Sequence, residues 1–313
     1  MSSRRELEYI EVRSRGTQTN CRSVQTNSRA TQKTDRCKQE DSPRMQGQGT
    51  RQKRKRKRKY RGRFVACAVL LIACTAFVLH LQDSQQVSGQ NAVYKIAKQA
   101  LSGLSGSSSP GIQKELEELL ENNQEAAEFV AGYRERDTYI GQSIDLTEDF
   151  ETGTVPLLMQ WDKRWGYDVY GDSIIGLSGC GPTCLTMAYL YFTEDTTENP
   201  RTMAEFADEN GFYTVGGTSW SLWTEGAELL GLSGQELPLD EKRMKSALDN
   251  DGLIVCSMRP GDFTTTGHFI LIRGYDEEGF FVNDPNRMAH SQRQWSYKNL
   301  SRQIKNLWVL ADQ

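Results

Sequence analysis

The sequence predicts an α+β domain at the C-terminal end of the chain, preceded by a basic tail, one membrane-spanning helix and a stalk. Three observations support this organisation. The net charge of −3 over 313 residues hides a balance of +14 in residues 1–63 and of −17 in the remaining 250 residues. Residues 64–81 contain no charged side chain, and all six tryptophans follow residue 160. Because large aromatic side chains supply core volume, the foldable part of the chain lies at its C-terminal end.

The composition narrows the class of protein. Hydrophobic residues make up 37% and charged residues 25% of the chain, which excludes a collagen, a disulfide-dense miniprotein and a polytopic membrane protein. Residues 1–63 are rich in Arg, Ser, Thr and Gln and poor in aromatics. Such a composition cannot bury enough apolar surface to offset chain entropy, so it predicts a disordered tail.

The apolar stretch FVACAVLLIACTAFVLHL predicts a transmembrane helix at residues 64–82. Eighteen residues rise about 27 Å along a helix, close to the roughly 30 Å of a bilayer core. A buried core helix is the alternative, but such a helix normally carries polar positions on one face. A lipoprotein signal ending at Cys74 is a further alternative, although apolar residues continue after that cysteine.

The flank of this helix predicts its orientation. Ten of the 13 residues in 51–63 are basic, and basic residues next to a span stay on the cytoplasmic side. We therefore expect a single-pass protein of the cell membrane with a cytoplasmic N-terminus and an extracytoplasmic C-terminal domain. The basic flank suits contact with anionic lipid better than a role in binding nucleic acid.

Residues 83–150 are expected to form an extracytoplasmic linker or stalk. A Gly/Ser-rich segment at 101–111 is typical of a flexible connection. Apolar residues at helical spacing in 113–133 predict one helix or two short ones, with an acidic face in solvent.

Helices come first and strands follow in the last domain, residues 151–313, which is an α+β layout. Apolar spacing predicts helices near 182–192, 201–210, 219–230 and 240–250, the last capped by Asp240. Apolar runs predict strands at LIVCSM (253–258), HFILIRGY (268–275), GFFVNDP (279–285) and IKNLWVL (304–310).

The cysteines of this domain single out Cys180. Three cysteines outside the cell leave at least one thiol unpaired, which indicates a reactive group. Cys180 follows a glycine where a loop becomes a helix, and the positive end of a helix favours a thiolate. Cys184 and Cys256 lie in apolar sequence and are interpreted as core residues. A structural role for Cys180, or a disulfide with Cys184, is the alternative.

A histidine and an Asn-Asp pair complete a three-part pattern. His268 follows Gly267 and opens an apolar strand, where it is well placed to act as a base, although a lone histidine is more often structural. Asn283 and Asp284 end the partner strand. Together these residues match the pattern of a catalytic nucleophile, a base and a group that orients the base. The second histidine of the domain, His290, receives no role.

The motifs GCGPTCLTM, GHFILIRGYD and VNDP, with VPLLMQWDKRWG upstream, resemble the papain-like cysteine peptidases of peptidase family thirty-nine. That family includes the double-glycine leader peptidases of bacteriocin exporters, and the resemblance covers about residues 155–313. It implies a papain-like fold with Cys180 as nucleophile, His268 as general base and acid, and Asp284 as the residue that orients His268. It also implies that Gln160 donates to the oxyanion together with the backbone amide of Cys180.

The sequence departs from the exporter-borne members, because it has no ATPase domain and no set of six spans. Clipping of a leader during export is therefore not expected. The stretch GGTSWSLW (216–223) either lines the substrate cleft or packs its tryptophans in the core.

The pairing of the last two strands raises a geometric problem. A turn centred between Glu277 and Glu278 places Asp284 opposite Leu271, with the wrong side-chain parity to meet His268. Direct opposition requires either pairing centred on Asp276 or a β-bulge near the turn. Asp284 is kept on the resemblance, and Asn283 is the substitute, since an amide can also orient an imidazole.

Other chemistry has little support. The chain contains no phosphate-binding loop, no dinucleotide motif and no zinc-binding HExxH or CxxC pair, so no cofactor and no metal are expected. The acidic domain argues against nucleic acid and leaves a peptide or protein as substrate. We therefore expect a cysteine peptidase at a bacterial cell surface. A cell-wall peptide amidase or transpeptidase, and a non-catalytic peptide-binding module, are the alternatives.

Overall fold

The computed structural model describes residues 89–103 and 110–313, together with Thr75, Ala76, Val78 and His80. The basic tail and nearly all of the span predicted at 64–82 lie outside these residues. Among the helices that are described, none is long and apolar enough to cross a membrane.

Nine α-helices with defined bounds follow residue 109, and residues 89–102 are helical as well. The nine are α1 Pro110–Asn122, α2 Ala127–Gly132, α3 Ile175–Ser178, α4 Cys180–Thr193, α5 Pro200–Glu209, α6 Glu225–Leu229, α7 Glu241–Asp249, α8 Met288–Ser291 and α9 Tyr297–Ser301. Short 3₁₀ turns occupy Gln124–Ala126, Tyr133–Thr138 and Trp220–Trp223.

A six-stranded antiparallel sheet forms the centre of the domain, in the order β5-β10-β6-β7-β8-β9. Its strands are β5 Leu232–Glu236, β6 Leu253–Met258, β7 His268–Tyr275, β8 Phe280–Asn283, β9 Gln294–Trp295 and β10 Ile304–Asp312. Two small hairpins precede it, β1 Val169–Tyr170 with β2 Ser173–Ile174 and β3 Tyr213–Thr214 with β4 Gly217–Thr218. The predicted combination of helices with an antiparallel sheet is confirmed, whereas β5 and β9 were not predicted.

Helix ends follow their capping residues. The side chain of Asp240 accepts from the backbone N–H of Arg243 at 3.0 Å, which confirms the predicted cap of α7. The single helix predicted over 219–230 is instead broken at Thr224, whose φ of −121° and ψ of −77° are not helical. A 3₁₀ turn capped by Ser219 precedes the break, and α6 follows it.

Each face of the sheet is covered by a helix. On one face, α4 packs against odd-numbered positions of β6 and β7, such as Val255 and Leu271. On the other, Met244 of α7 packs with the even-numbered Ile254 and Ile270. This alternation follows from the period of two in a strand, and burial on both faces explains why these strands read as continuous apolar runs.

A third apolar cluster joins the segment before residue 150 to the domain. Residues from 97 to 133 bury Leu116, Phe129 and other apolar side chains against Tyr167 and Ile174. The ring of Phe129 stacks on Tyr167 with centroids 4.5 Å apart. The structure therefore differs from the expected stalk over 83–150, since the described part of that segment folds onto the domain. The apolar face of α1 needs a partner, and the domain supplies it.

Candidate active site

Cys180 is the first residue of α4 and lies in the wall of a cleft. The cleft has a volume of about 1340 Å³. Gly179 forms the corner between α3 and α4, where a Cβ atom would approach the Ile175 carbonyl oxygen to 2.6 Å, so only glycine allows this turn. Cys180 is partly exposed, whereas Cys184 and Cys256 are buried, and none of the three forms a disulfide. The alternative of a disulfide between Cys180 and Cys184 is therefore not seen.

The other two thiols lie in the core. Burial raises the pKa of both Cys184 and Cys256, which keeps them as neutral thiols. The Sγ atom of Cys184 lies 3.5 Å from the carbonyl oxygen of Phe269, as expected for a weak S–H donor. Of the three thiols, only Cys180 faces the cleft.

His268 lies between Cys180 and Asp284. It opens β7, opposite Met258 on β6, and its Nε2 atom is 2.7 Å from Oδ1 of Asp284. Burial tends to lower the pKa of His268, but the charge and hydrogen bond of Asp284, with a hydrogen bond to Cys180, raise it to about 10. Because Nε2 faces Asp284, Nδ1 is the ring nitrogen left to face the thiol. The imidazole thus lies between a carboxylate and a thiol, and both contacts favour its protonated form.

A β-bulge brings Asp284 to the histidine. Pairing at the turn, Tyr275 with Phe280, is centred between Glu277 and Glu278 as expected, but the register shifts by one residue at Arg273. Beyond the shift Leu271 pairs with Asn283, so continuing the register places Asp284 opposite Ile270. Ile270 and His268 share one face of β7, and a diagonal neighbour on that face is about 7–8 Å away between Cα atoms.

Asn283 points to the opposite face and does not meet His268. Its Nδ2 atom donates to the carbonyl oxygen of Pro156 at 2.8 Å, and its Oδ1 atom accepts from Nε of Arg273 at 2.9 Å. The residue of the bulge and the segment before Gln160 are therefore both tied to Asn283. Its contacts are those of a structural amide.

Asp284 is completely buried, and several donors surround its carboxylate. Oδ1 accepts from His268 and from the backbone N–H groups of Asn286 at 2.8 Å and Arg287 at 3.3 Å. Oδ2 accepts from Nδ1 of His290 at 2.7 Å. Burial tends to raise the pKa of Asp284, but His268, His290 and the Asn286 amide outweigh it and hold the pKa well below its usual value.

Gln160 is buried at the cleft, and its position is fixed by backbone contacts. Its own N–H donates to the carbonyl oxygen of Pro285 at 2.7 Å, and its Nε2 atom donates to the carbonyl oxygen of Gly176 at 3.1 Å. Gln160 and Cys180 both line the cleft. One hydrogen of the Gln160 amide nitrogen is therefore engaged with Gly176, and the second is available for another acceptor.

The remaining walls come from three directions. Gly216, Gly217, Thr218 and Trp220 line one side, whereas Trp223 is buried in the core, so the stretch 216–223 serves both of the roles considered for it. The loop 259–267 forms a second wall. The third is α1 from the expected stalk, which was not predicted to reach the cleft. Its exposed Glu115, Glu118 and Glu121 face the same cavity.

His290 is the site residue that sequence reasoning missed. The only signal in the sequence was a histidine six residues after Asp284. That spacing does not by itself predict a contact, because the turn of α8 is what brings the His290 side chain back to Asp284. Within the described residues, no group of three or more His, Cys, Asp or Glu side chains is arranged to hold a metal ion.

Comparison with known proteins adds a family. A family model described as the Peptidase_C39 like family matches residues 152–312, about half of the chain. No curated protein matches the chain.

Solved structures of peptidase domains are similar to parts of the chain. One is the peptidase domain of Streptococcus ComA, a bi-functional ABC transporter involved in a quorum sensing pathway, which is 18% identical. That match covers 44% of this chain and 93% of the other, with a TM-score of 0.34. A putative C39-like peptidase from Bacillus anthracis is 15% identical, covers 51% of this chain and 96% of the other, and has the same TM-score of 0.34.

The family match includes all four residues predicted for catalysis, Gln160, Cys180, His268 and Asp284. It also spans α4 and the whole six-stranded sheet that positions them. On the extent of this match, the chain belongs to the Peptidase_C39 like family and carries a cysteine peptidase-like fold.

Proposed function

We propose that the protein is a cysteine peptidase that hydrolyses peptide bonds with Cys180 as nucleophile, His268 as general acid and base, and Asp284 as the orienting carboxylate. The observation that carries the proposal is the imidazole of His268, held between Asp284 and Cys180 at the wall of an open cleft. A structural histidine would need neither a thiol on one side nor an open cleft beside it.

Acylation is the first step. The Sγ atom of Cys180, as the thiolate paired with protonated His268, attacks the carbonyl carbon of the scissile peptide bond and forms a tetrahedral intermediate. His268, protonated in the resting pair, gives its Nδ1 proton to the leaving amide nitrogen as the C–N bond breaks. The products are a free amine and a thioester on Cys180. Asp284 keeps the Nε2–H of His268 aimed away from the thiol, so that Nδ1 carries the transferred proton.

The negative oxygen of the intermediate needs donors. In this proposal they are the backbone N–H of Cys180, at the start of α4, and the second N–H of the Gln160 amide. The hydrogen bond of Gln160 to the Gly176 carbonyl fixes the plane of that amide before substrate arrives. Donors that are fixed in advance need no reorganisation when charge develops.

Deacylation regenerates the enzyme. Neutral His268 takes a proton from a water molecule, whose oxygen attacks the thioester carbonyl carbon. The C–S bond breaks, the acid product leaves, and Cys180 returns as a thiolate beside the imidazolium of His268. If an amine attacks in place of water, the product is a new amide bond, which is the transpeptidase alternative.

The place of action in this proposal is the outer face of a cell membrane. The apolar segment 64–82 serves as the anchor, and the basic flank at 51–63 keeps the N-terminus in the cytoplasm. The substrate is then an extracytoplasmic peptide or protein.

The test uses the full-length chain in detergent with a mixture of unfolded proteins as substrate and mass spectrometry of the products. We expect new peptide termini with the wild type and none with Cys180→Ala. Cys184→Ser is the matched control, because its thiol is buried and faces the core. Purified cell wall is assayed in parallel. Release of wall peptides without cleavage of protein would replace the peptidase with the amidase, and equal products from Cys180→Ala and wild type would overturn both.

A further inference from the structure

His290 contacts the one oxygen of Asp284 that His268 leaves free. Its Nδ1 atom lies 2.7 Å from Oδ2 of Asp284, while His268 binds Oδ1. Both histidines and the aspartate are buried. The catalytic pair in the proposed function is therefore part of a longer chain of side chains, which runs from Cys180 through His268 and Asp284 to His290.

The ring of His290 has a fixed orientation. It meets Phe263 edge-on with centroids 5.1 Å apart and Trp295 at 5.3 Å with planes 89° apart. The Nε1 atom of Trp295 donates to the backbone carbonyl oxygen of His290 at 2.9 Å. These contacts leave the imidazole little freedom to turn away from Asp284, and such packing is what locks a functional side chain in place.

The helix that carries His290 is also held from outside. The carboxylate of Glu125 accepts from the first backbone N–H groups of α8, those of Met288 at 2.6 Å and Ala289 at 3.1 Å. Glu125 therefore caps α8 from the segment that precedes the domain, as a carboxylate at a helix N-terminus is favoured to do. The backbone N–H of Asp284 donates to the side chain of Ser291 at 2.9 Å, so α8 and Asp284 are tied at two points.

The physical role of this contact follows from the geometry of a carboxylate. Oδ1 accepts from His268 and from backbone amides, but these donors leave Oδ2 buried and in need of a donor. An unsatisfied buried charged oxygen favours either a rotated carboxylate or its protonated form. Either change weakens the bond that aligns His268. A donor on Oδ2 prevents both.

We propose that His290 is a positioning residue of the active site, which donates from Nδ1 to Asp284 and so holds the carboxylate in line with His268. The proposal rests on the proposed function, because it assigns the second partner of the same aspartate. His290 acts only through Asp284.

Two substitutions separate the hydrogen bond from the packing. His290→Phe keeps a ring between Phe263 and Trp295 and loses the donor. His290→Asn loses the ring but keeps an N–H at the same number of bonds from Cβ as Nδ1. Met288→Ala is the matched control, since Met288 is an exposed residue of the same helix. If His290→Phe does not fold, His290→Leu replaces it, because leucine also lacks a donor and fills the apolar space between Phe263 and Trp295.

The first readout is turnover. We expect His290→Phe to lower kcat on the order of 10- to 100-fold, the range typical for the outer hydrogen-bond partners of a functional histidine, with KM nearly unchanged. We expect His290→Asn to recover most of kcat and Met288→Ala to match the wild type. A merely structural histidine would show the reverse order, with the ring-preserving variant more active than His290→Asn.

The second readout is independent of any substrate. The rate at which Cys180 reacts with iodoacetamide is followed against pH in the full-length chain. Losing the donor on Oδ2 makes Asp284 easier to protonate, so the acidic limb of the profile should move to higher pH in His290→Phe and return in His290→Asn. Asp284 is the charged group that contacts the His290 ring, Glu125 binds the first N–H groups of α8, and the Arg293 guanidinium lies 3.8 Å from the ring centre of Trp295, which packs on His290.

The outcomes distinguish the two proposals. A wild-type profile that shows only an ordinary free thiol contradicts the proposed function itself. A wild-type profile with an acidic limb that His290→Phe leaves in place contradicts only the role of His290. Movement of the limb in His290→Phe with its return in His290→Asn supports both.

Discussion

At the scale of single residues, the charge of Asp284 is the feature on which the site depends. A buried carboxylate is costly unless donors surround it, and this one accepts from two histidines and from backbone amides. The neighbouring Asn283 was the alternative partner for His268, and it would have supplied a neutral amide in place of a carboxylate. The bulge at Arg273 decides between them, because it turns Asp284 toward His268 and Asn283 toward Pro156.

Substitution of Asp284 should therefore mainly lower turnover, whereas substitution of Asn283 should mainly lower stability. Asp284→Ala should lower kcat by up to about 10⁴-fold, with residual turnover, because it only orients the imidazole. Asn283→Ala should leave kcat close to wild type but lower the free energy of unfolding by about 1–3 kcal/mol, since the buried Pro156 carbonyl loses its donor. For each variant, steady-state kinetics measures kcat and urea unfolding measures the free energy of unfolding. A larger loss of kcat in Asn283→Ala would contradict the observed register.

The thiols should differ in reactivity for the same structural reason. We expect iodoacetamide to label Cys180 in the native protein and to reach Cys184 and Cys256 only after unfolding, because both are fully buried. Mass spectrometry of the labelled peptides makes the distinction. Cys180→Ala is the control, and equal native labelling of all three thiols would remove the basis for choosing Cys180.

The protonation of His268 links the site to stability. The pKa of His268 is raised from about 6.5 to about 10. The stability that protonated His268 adds to the folded state is therefore fully present below pH 6.5 and is lost as the pH rises toward 10. In Asp284→Asn the raising charge is absent. The difference in unfolding free energy between wild type and Asp284→Asn should therefore be largest near pH 6 and shrink toward pH 10. A difference that grows from pH 6 to pH 10 would contradict the claim that His268 is protonated beside Asp284 in the folded protein.

At the scale of elements, the helices before residue 150 act as part of the domain. Phe129 packs where a Cβ of Gly176 would lie, with its Cζ atom 2.3 Å from that position. Gly176 in turn supplies the carbonyl that holds Gln160. Asn123 donates to the carbonyl oxygen of Asn286, two residues after Asp284, as does Trp161 of the domain itself. The segment before residue 150 therefore contacts both ends of the candidate active site, although it lies outside the family match.

Removing the ring of Phe129 should show how much the segment before residue 150 stabilises the domain. Phe129→Ala is expected to lower the free energy of unfolding by about 3–5 kcal/mol, the usual cost of deleting a buried phenylalanine. Glu128→Ala, on the exposed face of the same helix, is the matched control. Urea unfolding of both variants measures the effect. A change below about 0.5 kcal/mol in Phe129→Ala would mean that the segment contributes little to the domain.

At the scale of the whole molecule, the chain combines a domain of the Peptidase_C39 like family with an uneven distribution of charge. The family match ends at residue 312, one residue before the last, and all of the strongly basic sequence lies before residue 64. This separation is what the proposed anchor at 64–82 requires, since basic residues next to a membrane span favour the cytoplasmic side.

Protease treatment of intact cells tests this arrangement. We expect added protease to remove the chain after Asp83 and to spare residues 1–63, as detected with tags at the two ends. Permeabilised cells serve as the control, in which both ends should be digested. Protection of the C-terminal tag in intact cells would overturn the proposed orientation.

The sequence by itself determined the α+β class, the strands β6, β7, β8 and β10, and the resemblance that singles out the residues of the cleft. These features depend on local periodicity and short motifs, which are read from neighbouring residues. Only the tertiary structure decided that Asp284 rather than Asn283 meets His268, because a one-residue bulge reverses side-chain parity. It alone brought His290 to Asp284 and folded the expected stalk onto the domain. Contacts between residues far apart in the chain depend on how helices and strands pack, and no local pattern encodes that packing.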